Sequence, residues 1–305
     1  MAGTRKPRDA DGGGFGEIVG LIPAAGRATR LAPLPCSKEL LPIGFQGASD
    51  GADRKPKPVS QYLLDRMKLA GARKVFFIAR PGKWDIADYY GDGSRLGLQL
   101  AYLHVGEPWG PPFTLNQAAP FIGEATVVFG FPDILIDPPD SFTPLIDRMR
   151  QTGADVVLGL FHCRADEPGD VVETDGSGRV TSLQTKEERP LRPDHYVCWM
   201  FAVWGGRFTR FMVEHCRQLA VQARVRVAAD PSAKAPEWPV GAVISAALAN
   251  GLHVDSVLFE SGRFLDVGTP DGITVAGRFP IVWDGLQARD APVVPAPQPV
   301  APGTS

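Results

Sequence analysis

The stretch from Ile22 to Gly44 reads IPAAGRATRLAPLPCSKELLPIG and sets two cations, Arg30 and Lys38, among prolines and small residues. It directly follows the first apolar run of the chain, EIVGLIP. In an open α/β sheet, ligands bind beyond the carboxyl ends of the strands, and small residues there let backbone N–H groups approach a phosphate. Arginine adds a planar donor fork and lysine a point charge. Two fixed cations beside such backbone suit a triphosphate and its leaving pyrophosphate. Other phosphate-binding patterns are absent: G-x-x-x-x-G-K-[ST] occurs nowhere, and AAGRATRL lacks the spacing of G-x-G-x-x-G. P-loop and dinucleotide readings therefore lose their support. The competing reading of this stretch alone is a solvated surface loop.

The elements that must position this loop follow from hydrophobic periodicity. EIVGLIP reads as a buried strand, VSQYLLDRMKLAG as an amphipathic helix stopped by Gly71, and KVFFIA as the next buried strand. Strand, helix and strand in that order indicate a parallel sheet. LQLAYLHV (strand), FTLNQAAPFI (helix), ATVVFGF (strand), FTPLIDRMRQTG (helix) and DVVLGLFH (strand) continue the alternation. Beyond them DVVETDGSGRVTSLQ reads as a hairpin around DGSG, followed by the strand YVCWMFAVW and helices starting near Phe208 and Pro239. The fold class is α/β: a Rossmann-like open mixed sheet, mostly parallel, flanked by helices, with a smaller β-rich part. Residues 1–16 and 286–305 read as disordered tails around one body, 17–285. GFQGASDGADRKPKP, before the first helix, reads as an exposed loop.

With 305 residues, 44% of them hydrophobic and a net charge of -2, the chain has the core of a soluble protein and no global attraction for polyanions. Nucleic acid is not an expected partner. No apolar run approaches the length of a membrane span, and MAGTRKPRDADGGGFG lacks the apolar core of a signal peptide, so a cytoplasmic location is expected. The four cysteines, Cys36, Cys163, Cys198 and Cys216, are scattered without a C-x-x-C pair and are expected to be reduced thiols. His162 and Cys163 adjoin, but neighbouring strand residues face opposite sides, which argues against a paired site.

AAGRATRLAPLPCSKELLP resembles the signature of the sugar-1-phosphate nucleotidyltransferases, G-x-G-T-R-L followed by P and K-x-x-x-P, as in glucose-1-phosphate thymidylyltransferases. GDGSRLGLQLAYLHVGEP resembles the family's segment leading to the base-binding edge. DVVETDGSGRVTSLQTKEERP resembles its V-V-E-x-D-x-x-G-x-V…E-K-P hairpin, and FLDVGTPDGI its W-x-D-x-G-T-P close. The matches keep family order across Ile18 to Ile273. Departures are Ala28 at the second signature glycine, GFPD in place of G-D-N, EPWGPPFTLNQA in place of E-P-x-G-T-A, and Trp199 and Met200 where Thr or Asn and Gly are usual.

The resemblance implies a nucleotidyltransferase or GT-A-like fold, a nucleotide-binding half over 17–160 and a sugar-phosphate-binding half over 161–285. It implies that a sugar-1-phosphate attacks the α-phosphorus of a nucleoside triphosphate, dTTP or UTP with glucose-1-phosphate being the leading pairs, assisted by Mg²⁺. Asp133 and Asp266 are the implied metal ligands, hard oxygens suited to that ion. Arg30, Lys38 and Lys186 are implied as catalytic cations, and Ala24, Ala25, Gly26, Ala28, Thr29 and Glu107 as nucleotide-binding. Glu173, Glu188, Arg189 and Trp199 are implied on the sugar phosphate. QTKEERP can be aligned to place either Lys186 or Arg189 as the sugar-phosphate cation. A homo-oligomer is a further expectation from the resemblance. Two other classes stay open: a non-catalytic member of the fold that senses nucleotide or nucleotide-sugar, and a GT-A-type glycosyltransferase, against which the lone carboxylate of PDI and the Arg30/Lys38 loop both speak.

Overall fold

EIVGLIP forms the central strand, and its alternating side chains decide what lies on either side of it. A computed structural model describes residues 16–46, 55–106, 109–165, 167, 169–188, 194–230, 232 and 236–278. Except for Gly16, the two tails lie outside the described residues, as do Glu107 and Arg189. In chain order the elements begin with β1 (Ile18–Ala24), β2 (Pro42–Gln46), β3 (Lys55–Pro58), α1 (Val59–Leu69), β4 (Lys74–Ala79), α2 (Trp84–Tyr90), β5 (Gln99–His104), α3 (Pro111–Asn116) and α4 (Ala119–Ile122). They continue with β6 (Thr126–Gly130), β7 (Ile134–Asp137), α5 (Phe142–Thr152), β8 (Val156–Arg164), β9 (Val171–Thr174), β10 (Val180–Gln184) and β11 (His195–Trp204). The remainder are α6 (Gly206–Ala229), α7 (Val240–Ala249), β12 (Val254–Leu258), β13 (Arg263–Asp266) and α8 (Pro270–Arg278).

β1 lies between β4 and β6, parallel to both: Leu21 stands opposite Phe76 on one side and Phe129 on the other. β5 extends the parallel run beyond β4. On the other flank β11 pairs antiparallel with β6 and β8, and β12 is parallel to β8. The β9–β10 hairpin joins at the first half of β11. The chain runs from β1 outward through β4 and β5 and then returns to β6, so the order reverses at β1, the point where such sheets bind ligands. Val19 and Leu21 pack on one face against Phe113 of α3, Phe208 and Met212 of α6 and Val243 of α7. Ile22 and Ala24 pack on the other against Leu63 and Met67 of α1, Tyr90 of α2 and Leu145 of α5. A smaller cluster of Ile43, Val59, Tyr62, Leu135, Val267 and Ala276 joins β2, α1, β7 and α8.

Several expectations change. FTLNQAAPFI is two short helices, because Pro120 brings no N–H to continue the first. The insertion is not wholly loop: its flanks pair antiparallel as β2 and β3, and Lys57 is buried with its ammonium 2.9 Å from Asp65 Oδ2. Residues 47–54 lie outside the described part. The two halves expected within one domain, 17–160 and 161–285, share one sheet, with β8 spanning the boundary, and their binding roles remain expectations. Cys163 and Cys198 are not reduced thiols but a disulfide. The β8–β11 register sets Cys163 opposite Tyr196 and Cys198 opposite Phe161, which makes the two sulfurs diagonal neighbours on one face. His162 is exposed while Cys163 is buried, as strand alternation requires. Among the described residues, no helix is long and apolar enough to cross a membrane.

Candidate active site

The loop after β1 is held from below by residues that alternate in direction. Ser37, Lys38 and Glu39 open a single 3-10 turn over Lys38–Leu40. Ser37 donates its N–H and its hydroxyl to Asp85 at 2.6 and 2.7 Å. Burial by itself would raise the Asp85 pKa, but those hydrogen bonds from Ser37 hold it below the ordinary aspartate value. Glu39 points inward and is fully buried, accepting two hydrogen bonds from Lys83 Nζ at 2.7 and 2.8 Å. Burial pushes the Glu39 carboxyl up and the Lys83 ammonium down, and their attraction opposes both shifts. This pair locks the turn and leaves Lys38 on the opposite, ligand side.

Lys38 Nζ lies 2.5 Å from Asp133 Oδ2. Burial works against the Lys38 charge, but Asp133 outweighs it by charge and hydrogen bond, with Glu39 and Asp266 adding, and the pKa stands above that of an ordinary lysine. Asp133 lies three residues after the end of β6 and immediately before β7, and Asp266 ends β13. Although 133 positions apart in sequence, they are joined through β7 and β13, which pair antiparallel with Asp266 opposite Ile134. Val267 N donates to the Asp133 carbonyl at 2.8 Å, and Gly268 N donates to Asp266 Oδ1 at 2.7 Å. Arg30 Nη2 completes the group 3.6 Å from Asp266 Oδ2. A Cβ on Gly268 would stand 2.6 Å from Asp133 Oδ2, 2.8 Å from Asp266 Oδ1 and 3.2 Å from Arg30 Nη2, so the two carboxylates converge on one point that only glycine leaves open. Two carboxylates converging at the lining of one cavity fit a hard divalent cation whose remaining ligands come from phosphate and water. Among the described residues, no cluster of three or more His, Cys, Asp or Glu forms a self-sufficient metal cage.

Arg30, Lys38, Asp133, Asp266, Lys186 and Trp199 all line one cavity of about 770 Å³. Lys186 contributes from the turn after β10, with its ammonium 3.9 Å from Glu187. Ala24 ends β1, and a Cβ added to Gly26 would lie 3.9 Å from Lys38 Cε, in ordinary contact. Ala28 takes φ 53, the left-handed backbone that its glycine counterpart adopts freely, and its carbonyl accepts from Leu31 N at 2.9 Å. Ala28 lines a second, smaller cavity of about 310 Å³ together with Arg27, Arg80 and Lys38; Ala25 and Thr29 lie in the same loop, Thr29 exposed. Two expected sugar residues are not brought in. Glu188 turns its carboxylate back onto Thr185, accepting from its N–H and hydroxyl at 2.9 and 3.0 Å, and lines a groove between β10 and α7. Glu173 is exposed on β9 and does not line the main cavity.

Sequence reasoning missed Asp170, which lines the main cavity and accepts hydrogen bonds from Trp199 Nε1 at 2.9 Å and Lys186 N at 3.1 Å. Burial pushes its carboxyl up, against the pull of those two donors. Its only signal in sequence was its position immediately before V-V-E.

A family model described as "Nucleotidyl transferase" matches residues 19–279, nearly the whole described body. The chain belongs to the nucleotidyl transferase family. A glucose-1-phosphate thymidylyltransferase of Mycolicibacterium smegmatis is 28% identical to this transferase over 286 residues, covering 92% of this chain and 88% of the relative. A mannose-1-phosphate guanylyltransferase of Mycobacterium tuberculosis is 28% identical over 190 residues, 61% of this chain and 49% of the relative. Among solved structures, a UDP-glucose pyrophosphorylase complexed with UDP-glucose superposes with a TM-score of 0.65 at 16% identity, over 86% of this chain and 97% of that one. A UDP-glucose pyrophosphorylase from Acinetobacter baumannii gives 0.63 at 15% identity, over 86% and 93%. These two likenesses show that the transferase shares their fold, an α/β sheet flanked by helices. The family places the chain among nucleotidyl-transferring enzymes.

Proposed function

We propose that this enzyme joins a nucleoside triphosphate to a sugar 1-phosphate, releasing pyrophosphate and a nucleoside-diphosphate sugar. The observation that carries the reading is the convergence of Asp133, Asp266, Arg30 and Lys38 on one cavity beside the reversal point of the sheet. A phosphate oxygen of the sugar 1-phosphate forms a bond to the α-phosphorus, the bond from that phosphorus to the bridging oxygen breaks in line, and the electron pair leaves on pyrophosphate. Such a reaction brings two polyanions together, so positioning and charge neutralisation carry most of the catalysis. Lys38, kept charged by Asp133, sits where it can hold an α-phosphate oxygen. Arg30, exposed and only loosely paired at 3.6 Å, is free to swing onto the departing pyrophosphate. Lys186 faces the same cavity from the second half and is suited to the sugar phosphate.

Asp133 and Asp266 would hold a divalent cation, Mg²⁺ by the hardness of their oxygens, and that ion supplies charge neutralisation between the two phosphates. dTTP or UTP with glucose-1-phosphate are the first pairs to try, by analogy with the named relatives. The left-handed backbone of Ala28 supports an active loop over a purely sensing one, because the glycine-type conformation survives the loss of the glycine. The test is Mg²⁺-dependent pyrophosphate release from each nucleoside triphosphate against a panel of sugar 1-phosphates, with Asp133→Asn as the blank. Release with a restricted set of pairs, abolished in the variant, is expected. Release that persists in Asp133→Asn would refute the metal assignment, and silence with every pair would refute the reaction.

A further inference from the structure

We infer that Asp170 is a specificity-determining residue of this site, whose carboxylate receives a hydrogen-bond donor, hydroxyl or ammonium, on the ring of the sugar phosphate. The inference rests on the nucleotidyl-transfer reading and names what the sugar must offer. Asp170 lines the same cavity as Lys38, Asp133 and Asp266. The connection between the two ends is short: the Trp199 ring, which donates to Asp170, lies 6.1 Å from the ring of Phe131, two residues before Asp133.

The carboxylate is under-supplied by the protein. Oδ2 accepts from the Trp199 indole and Oδ1 from the Lys186 backbone N–H, both neutral donors. Asp170 forms no salt bridge among the described residues. An ionised carboxylate offers about four lone-pair sites, so two protein donors leave acceptor capacity on a residue that lines the cavity. A partly buried charge in that condition is costly unless something completes its hydrogen bonding. Space has also been kept for it. A Cβ on Gly241, in the first turn of α7, would stand 2.1 Å from Asp170 Oδ2, so the carboxylate occupies a notch that any larger residue would close.

The surroundings make this the polar feature by which a ring would be read. Trp199, Phe131, Met200 and Trp238 present apolar surface to the cavity, suited to the C–H face of a sugar. A carboxylate recessed in such a wall discriminates strongly, because an analogue lacking the donor leaves its remaining acceptor sites unfilled. The alternative is a structural Asp170 that only anchors Trp199 and the turn at Lys186.

The two are separated by crossing enzyme variants with substrate analogues. With the preferred sugar 1-phosphate of the wild type, kcat/KM is measured for that sugar and for its mono-deoxy and mono-amino analogues, in the wild type, Asp170→Asn and Trp199→Phe. Asp170→Asn is expected to lose about 10- to 100-fold on the preferred sugar, the range for a hydrogen bond to a charged group, with the KM for nucleoside triphosphate unchanged. One deoxy analogue should be poor with the wild type and no poorer with the variant, which identifies the ring position. Retention of activity by the amino analogue at that position marks an ammonium partner, and its loss marks a hydroxyl. Trp199→Phe keeps the aromatic surface but frees the carboxylate, and should give a smaller loss confined to the same position, which serves if Asp170→Asn folds poorly. A loss that is equal on every analogue, or a raised KM for the nucleotide, would overturn the inference while leaving the reaction standing. Wild-type silence with every pair would overturn both.

Discussion

Gly268→Ala tests the convergence of the two aspartates with the smallest possible change. The added Cβ would lie 2.6 Å from Asp133 Oδ2 and 2.8 Å from Asp266 Oδ1, both well inside van der Waals contact. The backbone cannot slide away, because Val267 N is bonded to the Asp133 carbonyl and Gly268 N to Asp266 Oδ1. The φ of Gly268 lies outside the left-handed region, so the substitution acts through its contacts, chiefly the two carboxylates and less closely Arg30 Nη2 at 3.2 Å. Each must retreat by about half an ångström, and misplacements of about 1 Å cost on the order of 10²-fold in rate. We expect kcat to fall about 10- to 100-fold, about 1.4–2.7 kcal/mol in the barrier, with a raised Mg²⁺ requirement. Overpacking should lower unfolding stability by no more than about 1–3 kcal/mol. Gly176→Ala is the control, since nothing lies within 4 Å of its Cβ position. The assay is Mg²⁺-titrated pyrophosphate release on both variants beside urea melts. Wild-type kcat and Mg²⁺ dependence in Gly268→Ala would refute the reasoning, for it would mean that the carboxylates need not stand where they do.

Glu39→Gln leaves the Lys83 ammonium buried without its carboxylate and should cost about 3–5 kcal/mol in urea unfolding, while the apolar double replacement Glu39→Leu with Lys83→Met should recover most of it. Ala28→Gly removes the left-handed strain of a Cβ, about 1–2 kcal/mol, but adds unfolded-state freedom worth about 0.5–1 kcal/mol, so a net gain between about 0 and 1.5 kcal/mol is expected in the same melts. Asp85, its pKa held down by Ser37, contributes stability that is present above the ordinary aspartate pKa and lost as pH falls through the depressed folded value. The acid limb of the stability curve, read by fluorescence melts, should therefore flatten in Asp85→Asn with no change in its slope near neutral pH.

Periodicity alone determined the core of this molecule. The alternation in EIVGLIP, the helix VSQYLLDRMKLAG and the strands KVFFIA and ATVVFGF depend on near-neighbour spacing, which a sequence carries directly. The loop after β1 was legible for the same reason: Arg30 and Lys38 lie within one short segment, and their types already indicate an anion. The four-residue strands β7 and β13 were not legible, because so short a run has no periodicity to display. Their pairing is what brings Asp266 to Asp133, which residue type and resemblance had suggested without a geometry. The disulfide escaped for a related cause, since its cysteines are 35 residues apart and meet only through the β8–β11 register. Glu188 and Asp170 show the limit most clearly. One carboxylate in a charged run turned back on its own backbone, and the other, beside a plain strand, entered the cavity. Local composition sets which residues can do chemistry, whereas the direction a side chain takes depends on packing partners distant in the chain, and only the tertiary structure supplies those.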